Sequence, residues 1–188
     1  MEHHLKTPLY RDDILDLKCG DVVYLSGTIL TARDEAHARM LEYNEKVEKL
    51  PFSLDGAVIY HCGPLMKQIE NGWEVVAAGP TTSARMISMT PSLLDLYDVH
   101  VLIGKGGMDG LSASFEGRCI YLAYTGGCAA LAARAIKKVK TFHWPDLGMA
   151  EGVWELEVEN FGPLIVGMDA IENDLFSNIK EKAKGLIG

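Results

Sequence analysis

The sequence predicts an α/β or α+β layered domain built on a mixed sheet. Three observations carry that expectation: βα units through most of the chain, a strand-rich tail, and glycines gathered at the ends of the predicted strands. Taken in order, apolar or alternating runs predict strands at residues 21–30, 57–61, 73–78, 99–103, 118–123, 139–143, 153–158 and 164–166. The run Val153-Trp154-Glu155-Leu156-Glu157-Val158 alternates apolar and acidic residues with a period of two, which suits a strand wetted on one face. Helical patterns fall at residues 34–49, 82–89, 127–138 and 172–184, and in the last two Arg and Lys collect near the C-terminal ends, where the helix dipole favours cations.

At 188 residues and 48% apolar composition, the chain reads as a single domain spanning residues 1–188. A chain of this length buries roughly 70% of its unfolded surface and needs no disulfide or structural metal to hold it. No repeat, low-complexity tract or Ser/Pro linker marks a boundary, so the stretch 147–152 and the glycines at 104, 106, 107 and 110 are expected to be loops within one unit. The net charge of −8 and the absence of a Lys/Arg block argue against a nucleic-acid or anionic-membrane surface. An anionic ligand would have to be met by a few placed cations. Cys19, Cys62, Cys119 and Cys128 form no CxxC pair and no zinc-type Cys/His spacing, and are expected to be buried thiols of a reducing compartment. The opening Met1-Glu2-His3-His4 is polar and no run of about 18 apolar residues occurs, so a cytoplasmic location is expected.

Four segments place a hydroxyl or a cation beside glycine or at a strand-to-helix junction. In Ser26-Gly27-Thr28-Ile29-Leu30-Thr31-Ala32-Arg33-Asp34, Arg33 can hold a carboxylate through its two-pronged guanidinium, or simply pair with Asp34 at a helix start. In Gly79-Pro80-Thr81-Thr82-Ser83-Ala84-Arg85-Met86, Thr81 and Arg85 are four apart and share a face if the helix begins near Thr81. A hydroxyl in that positive surrounding ionises more easily; the plainer alternative is a capping threonine and a surface arginine. Ile103-Gly104-Lys105-Gly106-Gly107-Met108-Asp109-Gly110 lacks the order of a phosphate-binding P-loop, but its glycines admit a small ligand near Lys105, or form no more than a flexible turn. Tyr124-Thr125-Gly126-Gly127-Cys128 leads into a run of small residues that either exposes helix N–H groups to an anion or lets a helix lie close on the sheet. His61 and His143, at strand ends, read as hydrogen-bonded structural residues, since no Ser/His/Asp order or HExxH stretch gives them a catalytic partner.

Together these segments resemble the β-subunit family of iron–sulfur-dependent hydro-lyases, class I fumarase and L-tartrate dehydratase. The resemblance is carried by residues 20–28, Thr31-Ala32-Arg33-Asp34, Gly79-Pro80-Thr81-Thr82 with Arg85-Met86, Gly104-Lys105-Gly106-Gly107-Met108, Leu147-Gly148-Met149 and Phe161-Gly162-Pro163-Leu164-Ile165-Val166, in family order through nearly the whole chain. It implies a swivelling β/β/α layered domain with a mixed sheet, covering an α subunit or α domain that carries a [4Fe–4S] cluster, with no cofactor bound by this chain. By motif, Thr81 corresponds to the catalytic hydroxyl and Arg85 to the cation beside it, while Arg33 and Lys105 correspond to substrate-carboxylate ligands. The implied reaction is reversible hydration of fumarate to L-malate; the alternatives are dehydration of L-tartrate and a dicarboxylate-binding module without catalysis. Single-chain class I fumarases carry this module at the end of a longer polypeptide, whereas this sequence begins at Met1 and has no cluster-binding cysteine pattern. A separate subunit, inactive alone and assembled as an α/β hetero-oligomer or with copies of itself, is therefore expected. Where the family's double glycine often continues with Pro or Ala, Cys128 stands here.

Overall fold

A computed structural model describes residues 1–187. The chain runs β1 (Glu2–Lys6), α1 (Arg11–Ile14), β2 (Val22–Thr31), α2 (Asp34–Glu45), β3 (Ala57–Tyr60), β4 (Leu65–Ile69) and β5 (Gly72–Ala77), then a 3-10 turn (Ser83–Met86). It continues through α3 (Thr90–Leu96), β6 (Val99–Gly104), α4 (Ser112–Phe115), β7 (Ile120–Ala123), α5 (Ala129–Ala135), β8 (Ile136–His143), a second 3-10 turn (Pro145–Leu147), β9 (Val153–Met168) and α6 (Leu175–Ile187).

The mixed sheet is present. β2, β3, β6 and β7 pair in parallel, β9 runs antiparallel to β7, and β9 also pairs antiparallel with β2. Those pairings close the sheet into a barrel, so the mixed α/β sheet expected from the sequence is present while the layered β/β/α description implied by the resemblance is not confirmed. β1 extends β2 in parallel and β8 extends β9 antiparallel, as flaps on the ring. β4 and β5 form a separate hairpin.

The pleat explains why β6, buried along its whole length, is apolar except for His100. Val101 and Ile103 point into the barrel with Val58, Tyr60, Ile120, Leu122, Trp154, Leu156 and Phe161. Leu102 faces outward with Ile59 and Tyr121, under Met40 of α2, Leu93 of α3 and Phe115 of α4. A strand covered on both faces loses the polar alternation of a half-wet one. β9 keeps it: Trp154, Leu156 and Val158 are buried while Glu157 and Glu159 face water.

Several boundaries differ from expectation for identifiable reasons. The strands expected at 153–158 and 164–166 are one strand, which trades its pairing with β8 for pairing with β7 while β2 runs along it. The helix expected at 127–138 stops at Ala135, and the chain passes directly into β8. Ile136, Val139 and Phe142 are spaced like a helix face, but Lys138 lies opposite Glu157, and two register shifts along β8 absorb the mismatch. α2 ends at Glu45 rather than near 49, just before Val47 takes a left-handed conformation (φ 57). α6 begins after Asp174, whose Oδ1 accepts the N–H groups of Phe176 (2.8 Å) and Ser177 (3.2 Å) as a cap.

Candidate active site

Four parallel strands end on the same rim of the barrel, the place where open backbone and ligands meet in parallel sheets. β2 continues into Ala32-Arg33, β3 into His61-Cys62-Gly63, and β6 ends at Gly104 with Lys105 next. β3 and β6 separate there, and residues 80–83 are wedged between them. Thr81 N–H donates to His61 O (2.7 Å), Lys105 N–H to Thr81 O (3.0 Å), and Ser83 N–H to Lys105 O (3.0 Å). Bridges between Cys62 and Pro80 and between Thr82 and Lys105 complete the wedge.

Thr81 therefore lies in extended chain ahead of the 3-10 turn, which replaces the helix expected at 82–89. The expected pairing with Arg85 nevertheless occurs, because the turn carries Arg85 back over it: Arg85 Nη2 donates to Thr81 Oγ1 at 2.5 Å. The Ser83 N–H is occupied by Lys105 O, and the guanidinium of Arg85 supplies positive charge directly on the Thr81 oxygen. Asp34 joins the two arginines, with Oδ1 3.4 Å from Arg85 Nε and Oδ2 4.0 Å from Arg33 Nη2. Arg33 also contacts Glu151 Oε1 at 3.1 Å, and its side chain is 23% exposed against 44% for Arg85. Lys105 is exposed on the same rim, where its aliphatic stem passes so close to Gly126 that a Cβ there would sit 3.1 Å from Lys105 Cδ.

All four residues singled out in the sequence thus gather at one end of the barrel. The surroundings add Asp34 as a bridge and Glu151 as a new partner. Residue 151 falls in a stretch that reads only as a loop, and no sequence signal links it to Arg33. A cavity of about 250 Å³ is lined by Thr7, Thr28, Ser53, Asp55, Lys140 and Glu155 among others, and by none of the four. The candidate site is a charged shelf on the rim. Chemically, it can hold carboxylates with Arg33 and Lys105 and keep an alcohol oxygen under a guanidinium.

Beneath the shelf lies a buried polar network. His61 Nδ1 is 2.8 Å from Ser83 Oγ, which is 3.0 Å from the Tyr121 hydroxyl. His37 Nδ1 donates to Arg33 O at 2.8 Å, and the His37 and His61 rings meet edge-on with centroids 5.2 Å apart. His61 is thus buried and hydrogen-bonded. Burial lowers the pKa of both rings; the neighbouring His37 lowers that of His61 further.

This pair makes a pH prediction. Each folded pKa lies below the ordinary value of 6.5, so the unfolded chain binds more protons than the folded one as pH falls past that value. The stabilising contribution is complete above pH 6.5 and declines below it, with a limiting slope of about 1.4 kcal/mol per pH unit for each ring. Urea midpoints should fall between pH 7.5 and 5.5, and the His37→Gln variant should show a shallower fall. Equal midpoints across that range would contradict the assignment of buried neutral rings.

All four cysteines are free thiols. Cys62 and Cys119 are buried and Cys19 and Cys128 only partly so, which narrows the expectation of four buried thiols. Burial raises the thiol pKa to about 11 in Cys19 and about 12 in Cys62, and raises that of Cys119 as well. Among the described residues no cluster of three or more His, Cys, Asp or Glu could hold a metal ion. The described residues do not fit a [4Fe–4S] cluster, which needs several converging thiolates. Among the described residues no helix is long and apolar enough to cross a membrane.

Comparison with known proteins places these features in a family context. The model of the family described as Fumarase C-terminus matches residues 2–179. The chain is similar to a Methanocaldococcus jannaschii protein provisionally named L(+)-tartrate dehydratase subunit beta, 48% identical over 93% of this chain and 91% of that one. It is 38% identical to the L(+)-tartrate dehydratase subunit beta of Escherichia coli, over 96% of this chain and 90% of that one. It is also 37% identical to a Geobacillus stearothermophilus protein provisionally named fumarate hydratase class I; that match covers 95% of this chain but 34% of the longer relative.

Proposed function

The chain belongs to the Fumarase C-terminus family, and from that premise we propose that it is the β subunit of a hydro-lyase acting on a four-carbon dicarboxylate, reversibly hydrating fumarate to L-malate. One observation carries the chemistry: the Arg85 guanidinium on the Thr81 hydroxyl oxygen at 2.5 Å, on a rim shared with Arg33 and Lys105. Dehydration of L-tartrate is the second reading, favoured by the names of the Methanocaldococcus jannaschii and Escherichia coli relatives. Both substrates present two carboxylates, so the cations of the shelf serve either.

In the dehydration direction, Arg33 and Lys105 hold substrate carboxylate. Thr81 Oγ1, in its alkoxide form, takes the proton from the carbon beside a carboxylate and becomes the neutral hydroxyl, and the negative charge left on that carbon spreads onto the carboxylate, where the cations stabilise it. An alcohol is a weak acid in water, so Thr81 needs its conjugate base stabilised; a guanidinium donor on the oxygen supplies that support. The reading assigns to a partner α subunit a [4Fe–4S] cluster that would supply Lewis acidity toward the departing hydroxyl. The exposure of Arg85 and Lys105, which leaves their charged ends within reach of an approaching partner, supports that division of labour. On this reading the β chain is inactive alone, is cytoplasmic, and swivels over the partner to close the site.

The test is an anaerobic assay of the co-purified α/β pair against L-malate, fumarate and L-tartrate. Turnover of one of them is expected, and binding without any turnover would replace the enzyme with a dicarboxylate-binding module. In the same assay Lys105→Ala should raise KM by roughly tenfold or more, the scale of a lost hydrogen bond to a charged group. An unchanged KM would remove Lys105 from the substrate's contacts.

A further inference from the structure

We propose that Glu151 is a positioning residue for Arg33, a rigid carboxylate strut that sets substrate affinity without touching substrate. The inference rests on the reading of Arg33 as a carboxylate ligand and extends it to the 147–152 loop, a segment without a role so far.

The Arg33 guanidinium has one close carboxylate partner. Among the described residues its nearest carboxylate oxygen is Glu151 Oε1 at 3.1 Å; Asp34 Oδ2 stands at 4.0 Å, and Arg33 Nε is buried without a partner. The other oxygen, Glu151 Oε2, accepts the N–H of Glu35 in the first turn of α2 at 3.2 Å. One carboxylate thus ties the guanidinium to the helix that follows Arg33. A guanidinium carries five donors, so this contact leaves others for a substrate carboxylate.

The loop that presents Glu151 is anchored on several sides, as a strut must be. Trp154 Nε1 donates to Met149 O at 2.8 Å, Met66 N–H to Met149 Sδ at 3.2 Å, and Gly152 N–H to Gly148 O at 2.9 Å. The loop and Arg33 also close on the same glycine. A Cβ at Gly63 would stand 2.8 Å from Ala150 O and 2.7 Å from Arg33 Nη1, both too close for a real contact. Side chains held this way lose little entropy when the ligand arrives.

Positioning and simple electrostatics predict opposite signs. Removing a carboxylate next to Arg33 makes the shelf more positive, which by charge alone tightens a dianion. A misaimed arginine weakens it. In the anaerobic α/β pair, Glu151→Ala should raise KM for the turned-over substrate by roughly tenfold with kcat changed less than about threefold. Succinate, an unreactive dicarboxylate, should lose affinity in parallel by calorimetry. Glu151→Gln, which keeps an acceptor for Arg33, should fall between the two. In an Arg33→Ala background, Glu151→Ala should add nothing to either measure, whereas a general structural role would still add its own loss. An unchanged or lowered KM, or losses that add in the double variant, overturns the strut. If the wild-type pair turns over malate or tartrate while Glu151→Ala behaves like wild type, the strut alone fails. If the wild-type pair neither turns over nor binds a dicarboxylate, the functional reading and the strut fail together.

Discussion

Replacing Thr81 with alanine, or Arg85 with lysine, in the assembled α/β pair is expected to lower kcat by about 100-fold or more while leaving the fold intact. Thr81→Ala removes the hydroxyl on which the proposed proton transfer depends. Its backbone bonds to His61 and Lys105 remain, so the wedge between β3 and β6 should persist. Arg85→Lys keeps the charge and is the sharper test. Arg85 uses Nη2 on Thr81 and Nε on Asp34 together, and an ammonium group cannot span both directions. The measurement is kcat under anaerobic conditions, with the melting temperature of each variant as the control for folding. Near-wild-type turnover in Thr81→Ala would mean that another group takes the proton. Turnover surviving only in Arg85→Lys would mean that positive charge suffices and the two-point geometry is incidental.

The sequence made the parallel strands legible because β3 and β6 are nearly continuous apolar runs, and the site residues legible because they follow strand ends at glycine or at a junction. Arg33, Thr81, Arg85 and Lys105 all belong to that class. Closure of the barrel was not legible. It depends on β9 finding β2 from the far end of the chain, with register shifts between Val23 and Leu25 and between Leu25 and Gly27 that no periodicity announces. β8 misleads because Ile136, Val139 and Phe142 repeat with a near-helical spacing, and only the pairing with acidic β9 decides in favour of a strand. Glu151 was hidden for a related reason. Its meeting with Arg33 spans more than a hundred positions, and a glutamate in a Gly-flanked loop looks like any solvated charge.

The other large effect is expected from a single methyl group in the floor of the site. A Cβ on Gly104 would lie 1.9 Å from Ser83 Oγ, 3.1 Å from His61 Nδ1 and 3.2 Å from the Tyr121 hydroxyl, in the middle of the buried network. Gly104→Ala must push the Ser83 hydroxyl aside, which combines overpacking with the loss of a buried hydrogen bond. Together these should cost about 3 kcal/mol or more, a fall in melting temperature of roughly 6–12 °C for a domain of this size. The disturbance cannot stay in the floor. Ser83 N–H is bonded to Lys105 O, and Thr81 N–H to His61 O, so moving Ser83 moves the segment that carries the reactive hydroxyl. Turnover should therefore drop more than substrate affinity. Removing the obstructing oxygen offers the decisive check: Ser83→Ala added to Gly104→Ala should restore part of the lost melting temperature, because the shortest contact disappears with the hydroxyl. A double variant less stable than Gly104→Ala alone would show that the floor fails for some other reason, and that residues 80–83 are not held in place by this network.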